Sequence, residues 1–92
     1  MKLDPLNFCV VIGKRQTPML TTAEWRILTM LERNYPSVVK EETITERLEI
    51  NKACLKVHLS NLRKKLKTVK WNIALIDGVV GLFPNRKRSK AA

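Results

Sequence analysis

The chain has few of the residues that build metal sites, catalytic dyads and disulfides. It contains one histidine, His58, and two cysteines, Cys9 and Cys54, which form no CxxC pair. Cys54 and His58 stand four residues apart, but two ligands do not close a zinc site and no further ligands cluster near them. A Ser/His or Cys/His catalytic arrangement would rest on His58 alone. We therefore predict no metal, no cofactor and no enzymatic activity, and we interpret both cysteines as reduced packing residues.

Glycine and long apolar runs are also scarce. The three glycines lie at Gly13 and in 78–81, which are turn signals rather than a phosphate-cradling loop. No segment approaches the roughly 18 consecutive apolar residues of a membrane span, and the N-terminus lacks the apolar core of a secretory signal. These absences predict a cytoplasmic protein without membrane contact. Apolar residues still make up 45% of the 92, which is enough for one small folded core.

Acidic residues are nearly absent from the second half of the chain. Residues 1–50 carry seven basic and seven acidic side chains, whereas residues 51–92 carry eleven basic side chains and one acid, Asp77. The whole net charge of +10 therefore lies in the second half. A neutral half joined to a strongly basic half is typical of a folded platform that presents a cationic surface to a polyanion. We expect that polyanion to be nucleic acid.

The first part of the chain predicts short strands followed by a helix. Strand-like segments occupy 8–12 and 15–20, and a further short strand is predicted near Leu3. Helix 1 begins at the capping box 21–24, in which a threonine and a glutamate satisfy each other's backbone N–H groups. It ends before Pro36, because proline disfavours helical geometry at the preceding residue.

The remainder predicts two more helices and a hairpin. Helix 2 covers about 40–48 and lacks a good N-cap, whereas helix 3 covers 51–67 and starts at a favoured Asn cap. Residues 71–83 are β-like around a tight Asp-Gly turn. Short antiparallel strands, three helices and a C-terminal hairpin describe an α+β winged helix-turn-helix domain, which we assign to residues 1–84. A basic, flexible tail is predicted over 85–92.

Helix 3 has an apolar side and a cationic side. Leu55, Leu59, Leu62 and Leu66 recur at helical spacing and define the buried side. At about 100° per residue the opposite side carries small and amide-bearing residues, and basic residues flank it. Such a face suits the major groove of DNA, where Asn61 can hydrogen-bond adenine and the flanking cations can neutralise phosphates.

The predicted DNA-contacting residues come from helix 3 and the tail. They are Lys52, Ala53, Lys56, Val57, His58, Ser60, Asn61, Arg63, Lys64, Lys65 and Lys67 on the helix, and Arg86, Lys87 and Arg88 in the tail. A solvated charged face is the plain alternative, but a run of one sign is self-repelling on a helix, and a merely solvated face is expected to alternate signs. Structured RNA and an acidic protein partner are the alternatives to duplex DNA.

Three segments resemble the OmpR/PhoB-type winged-helix DNA-binding domain. They are Leu20-Thr-Thr-Ala-Glu-Trp-Arg-Ile-Leu28, Tyr35-Pro-Ser-Val-Val39 and Val57-His-Leu-Ser-Asn-Leu-Arg-Lys-Lys-Leu66, similar to the family's helix start, loop and recognition helix. Residues 71–79 are similar to its wing, and the resemblance covers about 3–83. It implies a bacterial or phage transcription regulator, associated with the nucleoid, that binds double-stranded DNA as cooperative copies.

The same resemblance assigns roles and shows departures. It implies base contacts for Val57 and Asn61, and base or backbone contacts for His58, Ser60 and Arg63. Ala53 and Lys56 replace an arginine and an acid usual at the start of the recognition helix. Asp77 stands where the wing often carries a minor-groove arginine, a role that the tail cations could take instead.

The connection between helices 2 and 3 departs most from the family pattern. The resemblance implies a contact with RNA polymerase through this loop, but here the connection, 49–51, is much shorter. A short turn also resembles the LuxR/GerE-type helix-turn-helix, which ends in a fourth helix. Because 71–83 is β-like with a tight turn, we favour the winged form, and both families give the same recognition helix.

Overall fold

A computed structural model provides the structure of the chain and describes residues 1–84. Its elements are β1 Lys2–Asp4, β2 Cys9–Ile12, β3 Arg15–Gln16, α1 Thr22–Asn34, β4 Val39–Lys40, α2 Glu41–Leu48, α3 Lys52–Leu66, a single 3-10 turn Lys67–Val69, β5 Trp71–Ile76 and β6 Val79–Pro84. One antiparallel sheet has the order β1-β2-β3 and the other has the order β4-β6-β5. Three helices with a hairpin after the third confirm the predicted α+β winged helix-turn-helix. The tail predicted over 85–92 lies outside the described residues.

Thr17 closes the N-terminal sheet where the third strand stops. Its hydroxyl accepts a hydrogen bond from the Val10 N–H at 3.0 Å, and its own N–H donates to the Val10 carbonyl at 3.0 Å. The strand predicted over 15–20 is only two residues long, because the Thr17 hydroxyl takes the Val10 N–H that a continuing ladder would pair with the Thr17 carbonyl. Phe8 stacks on Trp25 with ring centroids 5.1 Å apart, which attaches this sheet to α1.

Helix α1 begins at the predicted capping box. The Thr21 hydroxyl accepts from the Glu24 N–H at 3.2 Å, and a Glu24 carboxylate oxygen accepts from the Thr21 N–H at 2.9 Å. These two bonds satisfy two of the N–H groups that a helix start leaves without partners. The helix buries Ile27, Leu28 and Leu31 in the core.

The turn of the wing caps helix α2, which has no side-chain cap of its own. The Glu41 N–H donates to the Gly78 carbonyl at 2.8 Å, so one unpaired N–H of the helix start is satisfied across the fold. The helix ends at Glu49, whose φ of 56° and ψ of 47° are left-handed. Residues 49–51 then lead into α3, where the Asn51 side chain accepts from the Cys54 N–H at 2.8 Å.

The wing is a hairpin of two six-residue strands with a third, short strand beside it. Strands β5 and β6 pair from Trp71 with Pro84 to Ile76 with Val79. Asp77 and Gly78 both have positive φ, 52° and 77°, as a two-residue hairpin turn of the primed type requires. Strand β4 was not predicted, since two residues carry no measurable alternation. The described chain thus ends in a hairpin rather than a fourth helix, which excludes the LuxR/GerE-type arrangement for these residues.

The core is a single cluster between the helices and the inner face of the wing. Its buried members are Val10, Leu20, Ile27, Leu28, Leu31, Val39, Ile44, Leu48, Leu55, Leu59, Leu62, Leu66, Val69, Ile73, Val80 and Leu82. Cys9 is also buried, as predicted, but Cys54 is exposed. The predicted packing role of Cys54 is wrong because its position in the first turn of α3 lies off the leucine side of the helix.

Thr21→Ala should destabilise the fold, because it removes the hydroxyl that caps α1. We expect a loss of about 1 kcal/mol, within a range of about 0.5–2 kcal/mol for such caps. In a domain of this size that lowers the melting temperature by about 4–8 °C. Thermal unfolding followed by circular dichroism measures it, with Thr22→Ala as the control. An equal loss in both variants would contradict the capping role.

Candidate nucleic-acid interface

Helix α3 turns its leucines into the core and the predicted reading face outward. Leu55, Leu62 and Leu66 have no exposed surface and Leu59 is 2% exposed. On the other side Val57 is 58% exposed, and the further outward residues Ala53, Ser60, Asn61 and Lys64 are exposed as well. The orientation that the leucine spacing predicts is therefore present. Contact of this face with DNA stays a prediction.

Asn61 is available for a new hydrogen-bonding partner. Within the part of the chain that the structure describes, its side-chain amide makes no hydrogen bond, unlike the capping amide of Asn51. A side-chain amide that is exposed on a helix can donate and accept at once, which is the pattern that adenine presents in the major groove. Val57 lies one turn earlier on the same side and offers two methyl groups.

Four of the predicted lysines lie on this face or beside it with exposed side chains. They are Lys52, Lys56, Lys64 and Lys67. Of these, only Lys52 has an acid within salt-bridge distance among residues 1–84, namely a Glu41 oxygen at 4.0 Å. Because the Lys52 side chain is 63% exposed, this pair is weak and does not prevent a phosphate contact.

Lys65 has an acidic partner inside the fold. Its ammonium donates to a Glu24 carboxylate oxygen at 2.7 Å and to the Met19 carbonyl at 3.0 Å. The Glu24 side chain is 2% exposed, so its charge needs this partner, whereas the Lys65 side chain is 24% exposed. The lysine points toward α1 and away from the reading face. Lys65 therefore anchors α3, and its predicted contact with DNA stays a prediction.

Arg63 joins the helix to the wing. Its Nε–H donates to the Ile73 carbonyl at 3.0 Å, on the side of β5 that does not pair with β6. The Ile73 N–H on the same edge is taken by the Asn72 side chain at 2.8 Å. Because a guanidinium has further donors, this bond leaves Arg63 able to contact a phosphate as well. His58, the remaining predicted residue of α3, is half-buried.

The turn of the wing carries an acid, Asp77, close to the N-terminal ends of α2 and α3. Asp77 is exposed, and the turn lines a groove of about 300 Å³ together with Glu41, Glu42 and Lys52. A carboxylate at the tip repels phosphate, which agrees with the expectation that this turn does not read the minor groove. The tail residues predicted to take that role, Arg86, Lys87 and Arg88, lie outside the described residues.

Sequence reasoning missed the two bonds that hold α3 in place. Glu24 and Lys65 are 41 positions apart, and Arg63 bonds a main-chain atom of β5. The sequence indicates the capping role of Glu24, but its ion pair with Lys65 has no local signal.

In residues 1–84 no cluster of three or more His, Cys, Asp or Glu side chains could hold a metal, and no helix is long and apolar enough to cross a membrane.

Comparison with known proteins supports the fold assignment. The family described as "Transcriptional regulatory protein, C terminal", the OmpR/PhoB-type winged-helix DNA-binding domain, matches residues 15–82. The match begins in the N-terminal sheet and ends in β6, so it includes all three helices. No curated protein and no solved structure matches the chain significantly.

Lys65→Met should destabilise the fold much more than Lys64→Met. The first change leaves the buried Glu24 carboxylate without its cation, which costs about 2–3 kcal/mol. The second removes an exposed ammonium without an ion pair in the described structure and should change stability by less than about 0.5 kcal/mol. Urea unfolding of both variants measures the difference. Equal stability would show that the Glu24–Lys65 pair does not hold α3.

Proposed function

The chain belongs to the OmpR/PhoB-type family of C-terminal DNA-binding domains of transcription regulators, and we propose that it recognises specific duplex sequences by inserting α3 into the major groove. The family makes it a DNA-binding regulatory domain, which is not a class of enzyme. The proposal concerns which groove of the duplex α3 enters, which of its residues contact the bases, and the preference for particular DNA sequences.

The observation that carries the proposal is the exposed side of α3. Val57, Asn61 and Lys64 follow one another along the helix at intervals of three or four residues, and all three are exposed. Side chains at this spacing share one face, so they meet the same groove. The major groove of B-DNA is about 12 Å wide and admits an α-helix.

Charge supports the proposed docking in two ways. Exposed lysines lie before, along and after the reading face, at Lys52, Lys56 and Lys67, so that phosphates on both sides of a groove can be neutralised. The net charge of +10 also attracts a duplex over distance, and the affinity should fall steeply with salt. A-form RNA is a poorer fit, because its major groove is deep and narrow.

One α3 spans only a few base pairs, and we propose that a second copy binds an adjacent site. Cooperative binding of two copies would supply the specificity that one helix lacks.

The connection between α2 and α3 has only three residues, 49–51, and forms a tight turn rather than an extended loop. We therefore place no polymerase contact on that connection.

Asn61→Ala should weaken binding to the preferred duplex by about 1–3 kcal/mol and relax the preference at one base pair. The preferred duplex is first selected from a random pool, and affinities are then measured by fluorescence anisotropy on it and on its single-base variants. Gln16→Ala removes an exposed amide from the N-terminal sheet and is the matched control. A loss of the same size on every duplex would contradict base reading by Asn61.

Lys64→Ala should weaken binding similarly on all duplexes and lower the slope of log affinity against log salt by about one. The reason is that one fewer phosphate is neutralised, so about one fewer counterion is released. Anisotropy titrations over a range of salt concentrations give the slope, and Lys14→Ala on the N-terminal turn is the control. A slope that equals the control's would remove Lys64 from the interface.

A further inference from the structure

A second cationic surface lies between α1 and α2. The groove there has a volume of about 300 Å³ and is lined by Arg26, Arg33 and Arg47 together with apolar and amide side chains. All three arginines are exposed, and no acid lines the groove. This concentration of one sign is unexpected, because it lies in residues 1–50, where basic and acidic residues balance.

The arginines have no acidic partners in the described structure. No carboxylate among residues 1–84 lies within 4.0 Å of any of the three. Arg26 donates from one Nη to the Arg47 carbonyl at 3.1 Å, which holds its guanidinium at the rim of the groove. The guanidinium groups of Arg33 and Arg47 make no hydrogen bond within the same residues. Two fork-shaped donors are thus available at one place, and forks of this kind match carboxylates.

Two apolar side chains lie among the residues that line the groove. They are Met30, which is half-buried, and Leu48, which is 8% exposed. Apolar side chains beside a cationic rim fit a peptide that carries both apolar and acidic side chains. Methionine suits such a contact, because its flexible thioether adapts to different apolar shapes.

Helix ends do not account for this arrangement. Arg33 stands in the last turn of α1 and Arg47 in the last turn of α2, where a cation stabilises the negative helix end. That effect explains one arginine at each helix end. It does not explain why the two ends and Arg26 line a single groove without an acid.

The α1 side of the groove faces away from the proposed DNA surface. Arg26 and Arg33 lie on the side of α1 opposite its buried residues, Ile27, Leu28 and Leu31. Helix α3 turns its leucines toward the same core from its own side. The exposed sides of the two helices therefore point in different directions, and we expect a duplex seated on α3 to leave Arg26 and Arg33 uncovered.

We propose that this groove binds an acidic segment of a partner protein while α3 holds DNA. An apolar side chain of the partner packs on Met30 and Leu48, and its carboxylates pair with Arg33 and Arg47. The interaction is independent of the DNA surface, so the domain can hold a duplex and a protein together.

Amide chemical shifts of the isotope-labelled full chain test the proposal. The probe is a synthetic peptide that alternates glutamate with leucine, and it is titrated both into the free chain and into the chain saturated with duplex DNA. We expect the amides of Arg33, Arg47 and Leu48 to shift in both titrations. A peptide with glutamine in place of glutamate, and one with serine in place of leucine, should each bind more weakly.

The double variant R33Q/R47Q should weaken peptide binding about tenfold, which corresponds to two exposed ion pairs. K14Q/R15Q removes the same charge from the N-terminal turn and should leave peptide affinity unchanged within about threefold. Both variants should retain DNA binding equally and give folded spectra, because no arginine side chain changed here makes a contact that holds the fold.

Three results would overturn the proposal. The peptide could shift only amides of α3, the double variant could bind peptide as well as its control does, or duplex DNA could itself shift the groove amides and displace the peptide. The last result would assign the groove to the DNA interface. Loss of DNA binding with peptide binding retained would instead count against the proposed function alone.

Discussion

Burial of four leucines on one side of α3 is the constraint on which the rest of the structure depends. Leu55, Leu59, Leu62 and Leu66 are the main contribution of the third helix to the core, and together they bury an apolar stripe along its length. Each buried leucine contributes about 1.5–3 kcal/mol relative to exposure. A helix rolled about its axis would lose most of this and would bury lysines instead. The outward direction of Val57 and Asn61 follows from that burial.

Polar contacts then fix the position of α3, which leucine packing alone leaves adjustable. Lys65 holds the C-terminal part of α3 to Glu24 of α1, and Arg63 holds it to the edge of β5. The wing is tied in turn to α2, through the bond from the Glu41 N–H to Gly78. Helix α3, helix α1 and the wing are thus joined by bonds as well as by packing. Such a rigid mounting would lower the entropy lost in the proposed insertion of α3 into a groove.

The elements that the sequence predicts well are those whose signals are local. The capping box at 21–24, the Asn51 cap, the leucine spacing and the Asp77-Gly78 turn each involve neighbouring residues, and the structure has each of them. Strand β4 exists only because β6 returns to pair with it, and two residues carry no pattern. The anchoring role of Lys65 was missed for a related reason: its charge is visible in the sequence, but its partner is 41 positions away.

The outward face of α3 was predictable because it is the complement of the leucine face. The arginine groove was not, since Arg26, Arg33 and Arg47 belong to a half of the chain with no net charge and come together only when α1 packs on α2. The distribution of charge along the sequence therefore predicts a cationic surface that lies on one helix. It does not predict a cationic surface that forms only where two helices pack together.

The most direct measurement is a set of intermolecular nuclear Overhauser effects between the chain and its selected duplex. The account predicts contacts from the Val57 methyl groups to thymine methyl or cytosine H5 protons, which lie in the major groove. Such contacts would place the outward side of α3 against base edges. Contacts confined to the N-terminal sheet or to the β5–β6 hairpin, with no contact from α3, would contradict the account.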